Sequence, residues 1–252
     1  MADVLLRVEQ LFKHFGGVIA TDHIELSVLP GEIHALIGPN GAGKTTLIHQ
    51  LSGALRADGG RIFFDGRDIT RASLHQRVHF GVARSYQITS IFRGSSVVHN
   101  LALAVLARTG SSFRFWRPLA TEDTLFEEAR GLARQVGLGA RENVVAGLLA
   151  HGEQRQLEVG LALATRARLL LLDEPMAGLG PEESQRMVAL LAELKRTVTL
   201  LLVEHDMDAV FRLADRISVL DSGRIIATGA PEAIRNDAEV KRAYLGEEMA
   251  AL

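Results

Sequence analysis

Nine residues, GPNGAGKTT at positions 38–46, constrain this chain more than any other stretch. The first eight fit G-x-x-x-x-G-K-[ST], and they stand where that pattern has a physical meaning. An apolar run at 33–37 reads as a strand before them, and Leu47, Ile48 and Leu51 give a helical spacing after them. Gly38, Gly41 and Gly43, with Pro39, Asn40 and Ala42 between, let a loop curl so that successive backbone N–H groups face inward as an anion nest. The helix that follows adds its N-terminal partial positive charge. Lys44 can reach the β- and γ-phosphates of a nucleotide, the Thr45 hydroxyl can ligate Mg²⁺, and Thr46 continues the helix start. A strand that delivers a phosphate loop to a helix belongs to an α/β unit.

The rest of the chain repeats that alternation. Apolar runs at 169–172, 198–203 and 217–220 each follow a helix-like segment, which implies a parallel sheet with right-handed crossovers. The first 30 residues alternate apolar and polar and read as strands closed by Pro30-Gly31, and 61–64 with Asp65-Gly66 reads as a strand and turn. From about 97 to 145 Glu, Ala, Arg and Leu recur at helical spacing instead, which predicts a helical insertion. No internal repeat appears, so a single nucleotide-sized unit is expected.

Two of the strand ends carry acids or a histidine. LLLLDEP, 169–175, ends in Asp173 and Glu174, at the sheet edge where parallel α/β proteins bind ligands. Asp173 suits Mg²⁺, a hard cation, and Glu174 is placed to polarise a water attacking the γ-phosphate. VEHD, 203–206, brings His205 out on the same edge, although a lone histidine, one of nine here, is more often a packing residue. Gln87, in VARSYQI, carries almost no information by itself.

Composition narrows the partners. The 28 basic and 30 acidic residues leave a net charge of −2, so no global basic field points to nucleic acid. With no cysteine, thiolate chemistry is excluded. The N-terminus shows no basic stretch leading into an apolar one, so no signal peptide is expected. The longest apolar runs, such as 101–107, fall short of the roughly 18 residues a membrane span needs, so work at a membrane would go through a partner.

Taken in order, these residues resemble the ATP-binding subunit of ABC transporters. GPNGAGKTT is similar to the family's Walker A loop, Gln87 to its Q-loop glutamine, LLLLDEP to its Walker B strand with catalytic Glu174, and His205 to its switch histidine. LLAHGEQRQLEVG, 148–160, lies where the family carries its LSGGQ signature, aligned here as Leu149, Ala150, His151, Gly152 and Glu153. Phe15 falls where the family stacks an aromatic ring on adenine. The stretches HFGGVIATDHIELSV, FRGSSVVHNL and IRNDAEVKRAYLGEE narrow the likeness to importers of branched-chain amino acids, and to the larger of their two unequal ATPases.

The resemblance implies a P-loop (RecA-like) α/β core with an N-terminal antiparallel β subdomain and an inserted α-helical subdomain, in one ABC ATPase domain over 1–252. The core with its β subdomain would occupy 1–90 and 160–232, the helical subdomain with the signature 91–159, and a helical tail 233–252. It implies ATP with Mg²⁺, the metal held by Thr45, Gln87 and Asp173. It also implies a second ATPase subunit, identical or not, that lays its signature on this chain's γ-phosphate. Two transmembrane permeases and, indirectly, a periplasmic binding protein would complete the machine. The chain would then sit peripherally on the cytoplasmic face of the inner membrane. Other cargo (urea or lipopolysaccharide), a soluble ABC-type protein, or a regulatory nucleotide-binding subunit are the competing expectations. Four positions depart from the family pattern: Ala150 for serine, His151 for glycine, Glu153 for glutamine, and Gly180 for the aspartate that ends the loop after Walker B. Arg155 and Glu158 read as a solvated helix face.

Overall fold

Four consecutive leucines at 169–172 leave no polar face to a strand, and such a run is stable only where both faces of a sheet are covered. A computed structural model, which describes residues 4–85, 91–109 and 123–245, places them at the centre of that kind of sheet. In chain order the strands are β1 (Leu6–Phe15), β2 (Val18–Val28), β3 (Ile33–Ile37), β4 (Gly59–Phe64), β5 (Arg67–Asp68), β6 (Val82–Arg84), β7 (Leu169–Asp173), β8 (Thr199–Val203), β9 (Arg216–Asp221) and β10 (Arg224–Gly229). The helices that position the site are α1 (Lys44–Ser52), α2 (Leu74–Phe80), α3 (Val97–Thr109), α4 (Asp123–Gln135), α5 (His151–Ala164), α6 (Pro181–Leu194) and α7 (Met207–Leu213).

Two sheets result. The larger has the order β10-β9-β3-β8-β7-β6, parallel from β9 to β6 with β10 antiparallel at its edge. The smaller, β2-β1-β4-β5, is antiparallel. Because side chains alternate along a strand, the leucines of β7 serve two cores. Leu170 and Leu172 pack with α3, α4 and α5, whereas Leu169 and Leu171 pack with α1 and the smaller sheet. A third cluster joins Ala35 and Ile37 to β9 and α7. This is the α/β architecture expected, with an antiparallel sheet on one side and helices inserted between β6 and β7.

Parallel order has one consequence for chemistry. β3, β7, β8 and β9 all end on the same edge, so Gly38, Asp173, Glu204 and Asp221 emerge together. The smaller sheet is tied to that edge: Asp22 N–H donates to Gly223 O at 2.8 Å, and the Asp22 carboxylate pairs with Arg224 at 2.6 Å. Helix α5 runs unbroken from 151 to 164, so the division expected between 159 and 160 falls inside it. Among the described residues no helix is long and apolar enough to cross a membrane.

Candidate functional site

The loop between β3 and α1 is made possible by two glycines. Gly38, at φ 150°, and Gly43, at φ 105°, lie so close to Leu220 O and Ala20 O that a Cβ at either position would overlap a backbone carbonyl. Any other residue would push the loop off the sheet edge. Helix α1 starts at Lys44 with no side-chain cap and no acid in its first turn, so its first amides remain available to an anion. The Lys44 amine is folded over the loop, donating to Gly38 O at 2.6 Å and Pro39 O at 2.9 Å. Burial lowers its pKa, while the Glu174 and Asp173 carboxylates pull the other way. Thr45 is exposed at the start of the helix.

Asp173 closes β7 and is 3% exposed. Its Oδ2 accepts from Arg84 Nη2 at 2.9 Å, and its Oδ1 is buried with no hydrogen-bond partner among the described residues. Burial raises the Asp173 pKa, the Arg84 charge opposes that, and the neighbouring Glu174 charge adds to it. An orphaned carboxylate oxygen beside a phosphate loop fits a hard divalent cation. No group of three or more His, Asp or Glu among the described residues could cage a metal alone. The fit is therefore to Mg²⁺ that keeps waters and nucleotide oxygens as its other ligands.

Glu174 follows with a left-handed backbone, φ 50°, a conformation that costs a non-glycine residue and is held here by hydrogen bonds on both sides. Its N–H donates to Val203 O at 2.9 Å and its carbonyl accepts from Ala177 N. The carboxylate is partly exposed, and His205 Nδ1 stands 3.9 Å from its Oε1. Glu204, 1% exposed, bridges the two strand exits: it accepts from Met176 N at 2.8 Å and from His205 N at 3.1 Å. Burial pushes its carboxyl up despite those amides.

The structure therefore brings Lys44, Thr45, Asp173, Glu174 and His205 to one edge. Gln87 lies outside the described residues. Phe15 ends β1 half exposed, with Lys13 Nζ 5.3 Å from its ring centre. The segment 150–153 makes other contacts. No hydrogen bond or ion pair among the described residues joins it to the phosphate loop; its neighbours are Glu183, Arg141 and Gly178. Glu183 Oε1 accepts from Gly152 N at 3.2 Å, and a Cβ on Gly152 would stand 2.9 Å from the Glu183 carboxyl carbon. Glu153 turns back on its own helix, accepting from Ala150 N at 3.0 Å and pairing with Arg141 at 3.1 Å, so its charge is compensated locally.

One expectation fails. Arg155 and Glu158 are not a solvated face: they pair at 3.0 Å with side-chain exposures of 14% and 7%. The reason is that α5 is flanked by α3, α4 and α6, and Glu158 lines a groove between α5 and α3. That groove encloses about 460 Å³ and is walled by Val78, Ala83, Phe92, Leu103 and Leu161. Sequence reasoning also missed Arg84, Glu204 and Glu183. For the first two the available signal was a charged residue inside or at the end of an otherwise apolar strand.

Comparisons with known proteins bear on the fold and the family. The ABC transporter family pattern matches residues 21–177, and one described as "Branched-chain amino acid ATP-binding cassette transporter" matches 224–250. The chain is 40% identical over 259 residues to the high-affinity branched-chain amino acid transport ATP-binding protein LivG of Escherichia coli K12, with 98% of this chain and 100% of that protein covered. It is 39% identical over 254 residues to the corresponding BraF of Pseudomonas aeruginosa, again with 98% and 100% covered. It superposes on a crystallised ATP-binding cassette of an ABC transporter in its ADP conformation with TM-score 0.85, 30% identity, and 96% and 99% of the two chains covered.

Proposed function

The chain belongs to the ABC transporter family of ATP-binding proteins and is an ATPase; from that premise we propose that it drives an importer of branched-chain amino acids. The identity to LivG and BraF over nearly the whole length supports that cargo. Family members act as dimers with membrane permease subunits. The finer reading is that this chain pairs with a second, identical or unequal ATPase, and serves two permeases fed by a periplasmic binding protein. It would do so from the cytoplasmic face of the inner membrane.

One observation carries the site reading: Lys44, Asp173, Glu174 and His205 share an edge, while the N-terminus of α5 has no hydrogen bond or ion pair to the phosphate loop among the described residues and bonds to Glu183 instead. A single chain thus holds two unlike halves. The loop 38–46 and the α1 amides bind the phosphates, with Lys44 leaving its loop carbonyls for the β- and γ-oxygens. Phe15 stacks on adenine. Mg²⁺, when bound, neutralises charge on the β- and γ-oxygens; Thr45, Asp173 and Gln87 are the residues that would hold it. Glu174 orients the attacking water and receives its proton, and His205 beside it senses the γ-phosphate. Residues 150–153 meet the partner's γ-phosphate with the amides of α5, because Ala150 lacks the hydroxyl of a serine. The apolar groove beside Phe92 is the seat of a permease helix.

Coupling follows from differential binding. ATP favours the closed dimer because it touches both halves, and hydrolysis removes that preference. The test is purification of the assembled transporter from membranes, with identification of its partner subunits and ATP-dependent leucine uptake into vesicles. Glu174→Gln should abolish ATP turnover and uptake while ATP binding persists. Uptake of urea, or partners that extract lipopolysaccharide, would reassign the cargo. Unchanged turnover in Glu174→Gln would mean that the other ATPase site does the work.

A further inference from the structure

Arg84 has no place in the roles assigned above, yet it makes the closest contact to the metal-facing carboxylate. We propose that Arg84 is the resident counter-cation of Asp173: it holds that carboxylate in place while no divalent ion is bound, and then shares it with Mg²⁺. The proposal rests on Asp173 being a metal ligand, as argued under Proposed function.

The register puts Arg84 there. β6 is only three residues long and pairs in parallel with β7, setting Arg84 opposite Leu171, two residues before Asp173. Ser85 N donates to Leu171 O at 3.0 Å and continues the ladder, so the arginine side chain reaches along β7 to its acidic end. The pair is 2.9 Å apart, with side-chain exposures of 7% for Arg84 and 1% for Asp173. Two charges this deep are retained at a desolvation cost that only each other's presence offsets.

The contact is single rather than forked. Arginine and carboxylate usually meet through two parallel bonds, which would occupy both oxygens of Asp173. Here Nη2 takes Oδ2, and among the described residues neither Arg84 Nε nor Oδ1 of Asp173 has a hydrogen-bond partner. This geometry holds the carboxylate from one side and leaves the other oxygen for a cation. Lys44, the other permanent cation close by, is bonded to Gly38 O and Pro39 O instead. Glu174, next in the chain, adds like charge. Among the described residues Arg84 is therefore the one cation hydrogen-bonded to Asp173. When Mg²⁺ arrives, two cations share one carboxylate, and the guanidinium opposes the metal.

Melting curves of the full-length chain distinguish this from simple packing. Wild type, Arg84→Met, Asp173→Asn and the double variant are melted in EDTA, in ATP with EDTA, and in ATP with Mg²⁺. Arg84→Met should lose most melting temperature in EDTA and recover much of it with Mg²⁺ and ATP. The double variant should regain metal-free stability, because no unpaired charge remains. Mg²⁺ titration of the ATP-bound Arg84→Met chain should show affinity raised about three- to tenfold by removal of the opposing charge. An equal loss in all three conditions, with no recovery in the double variant, overturns the proposal. Should Arg84→Met fail to fold, a folded double variant supports the proposal and an unfolded one overturns it. Failure of the metal reading looks different: Mg²⁺ would add no stability to the ATP-bound wild type, and Asp173→Asn would leave Mg²⁺ affinity unchanged.

Discussion

The two ends of the central sheet hold the same kinds of residue and do opposite things with them. At the start of β3, His34 is completely buried; its ring joins Glu32 Oε1 at 3.1 Å and Ser218 Oγ at 2.8 Å. On paper that is an acid–histidine–serine triad. Ser218 is also fully buried, and its hydroxyl is shared with Thr228 at 2.7 Å; Glu32 accepts in addition from Leu29 N and Arg216. Both ring nitrogens of His34 and the Ser218 hydroxyl have partners, and no substrate can reach the serine. At the opposite end, His205 has 61% of its side chain exposed and stands 3.9 Å from Glu174, while Asp173 keeps an unpartnered oxygen. Residue types alone do not make a reactive site. Access and leftover hydrogen-bonding capacity do, and only the C-terminal edge has both.

The largest expected effect breaks the comparison at the open end. Lys44→Ala should weaken ATP binding by at least about 100-fold, since charge-assisted contacts to phosphate are lost. Equilibrium dialysis measures this, and retained binding would remove the phosphate loop from its assigned role. His34→Ala addresses the sealed end. It opens a cavity and removes one buried hydrogen-bond partner each from Glu32 and Ser218, so unfolding in urea should be easier by about 2–4 kcal/mol, with ATP affinity changed by less than about twofold. A fall in affinity that matched the loss of stability would show the two ends to be coupled.

The smallest effect concerns a pair that is fully partnered but exposed. Asp58 accepts from His14 N at 3.0 Å and pairs with Lys13 at 2.7 Å, and these hold its carboxyl below the ordinary 3.8. A depressed folded value means the contribution is present above 3.8 and is lost as pH falls through the lower folded value. Asp58→Asn should therefore melt slightly below wild type at pH 7, with the difference closing as pH falls through the lowered folded value. A gap that stayed constant across that range would trace the effect to packing.

Much of this was legible beforehand because the residues concerned act locally. The glycines at 38 and 43 are required by the loop itself, whichever strands flank it. Leu169–Asp173 must be buried on both faces, and its acidic end must then lie at an edge. Glu153 is less legible: an acid beside a phosphate is adverse by charge, and only the tertiary contacts with Arg141 and the Ala150 amide show that charge compensated. Arg155 and Glu158 misled because helical periodicity reports spacing, and α5 is enclosed by neighbours drawn from distant parts of the chain.

By itself the sequence determined the phosphate loop, the strand-and-helix alternation and the order of Asp173, Glu174 and His205, since each depends on spacing within a few residues. The tertiary structure alone decided that β6 lies beside β7, so that Arg84 meets Asp173, and that Glu204 ties the loop after Glu174 to His205. It also decided that Gly152, at the N-terminus of α5, meets Glu183 of α6. Those facts depend on which strand is neighbour to which. Hydrogen-bond register across a sequence separation of 89 settles that for Arg84 and Asp173, and no local pattern encodes it.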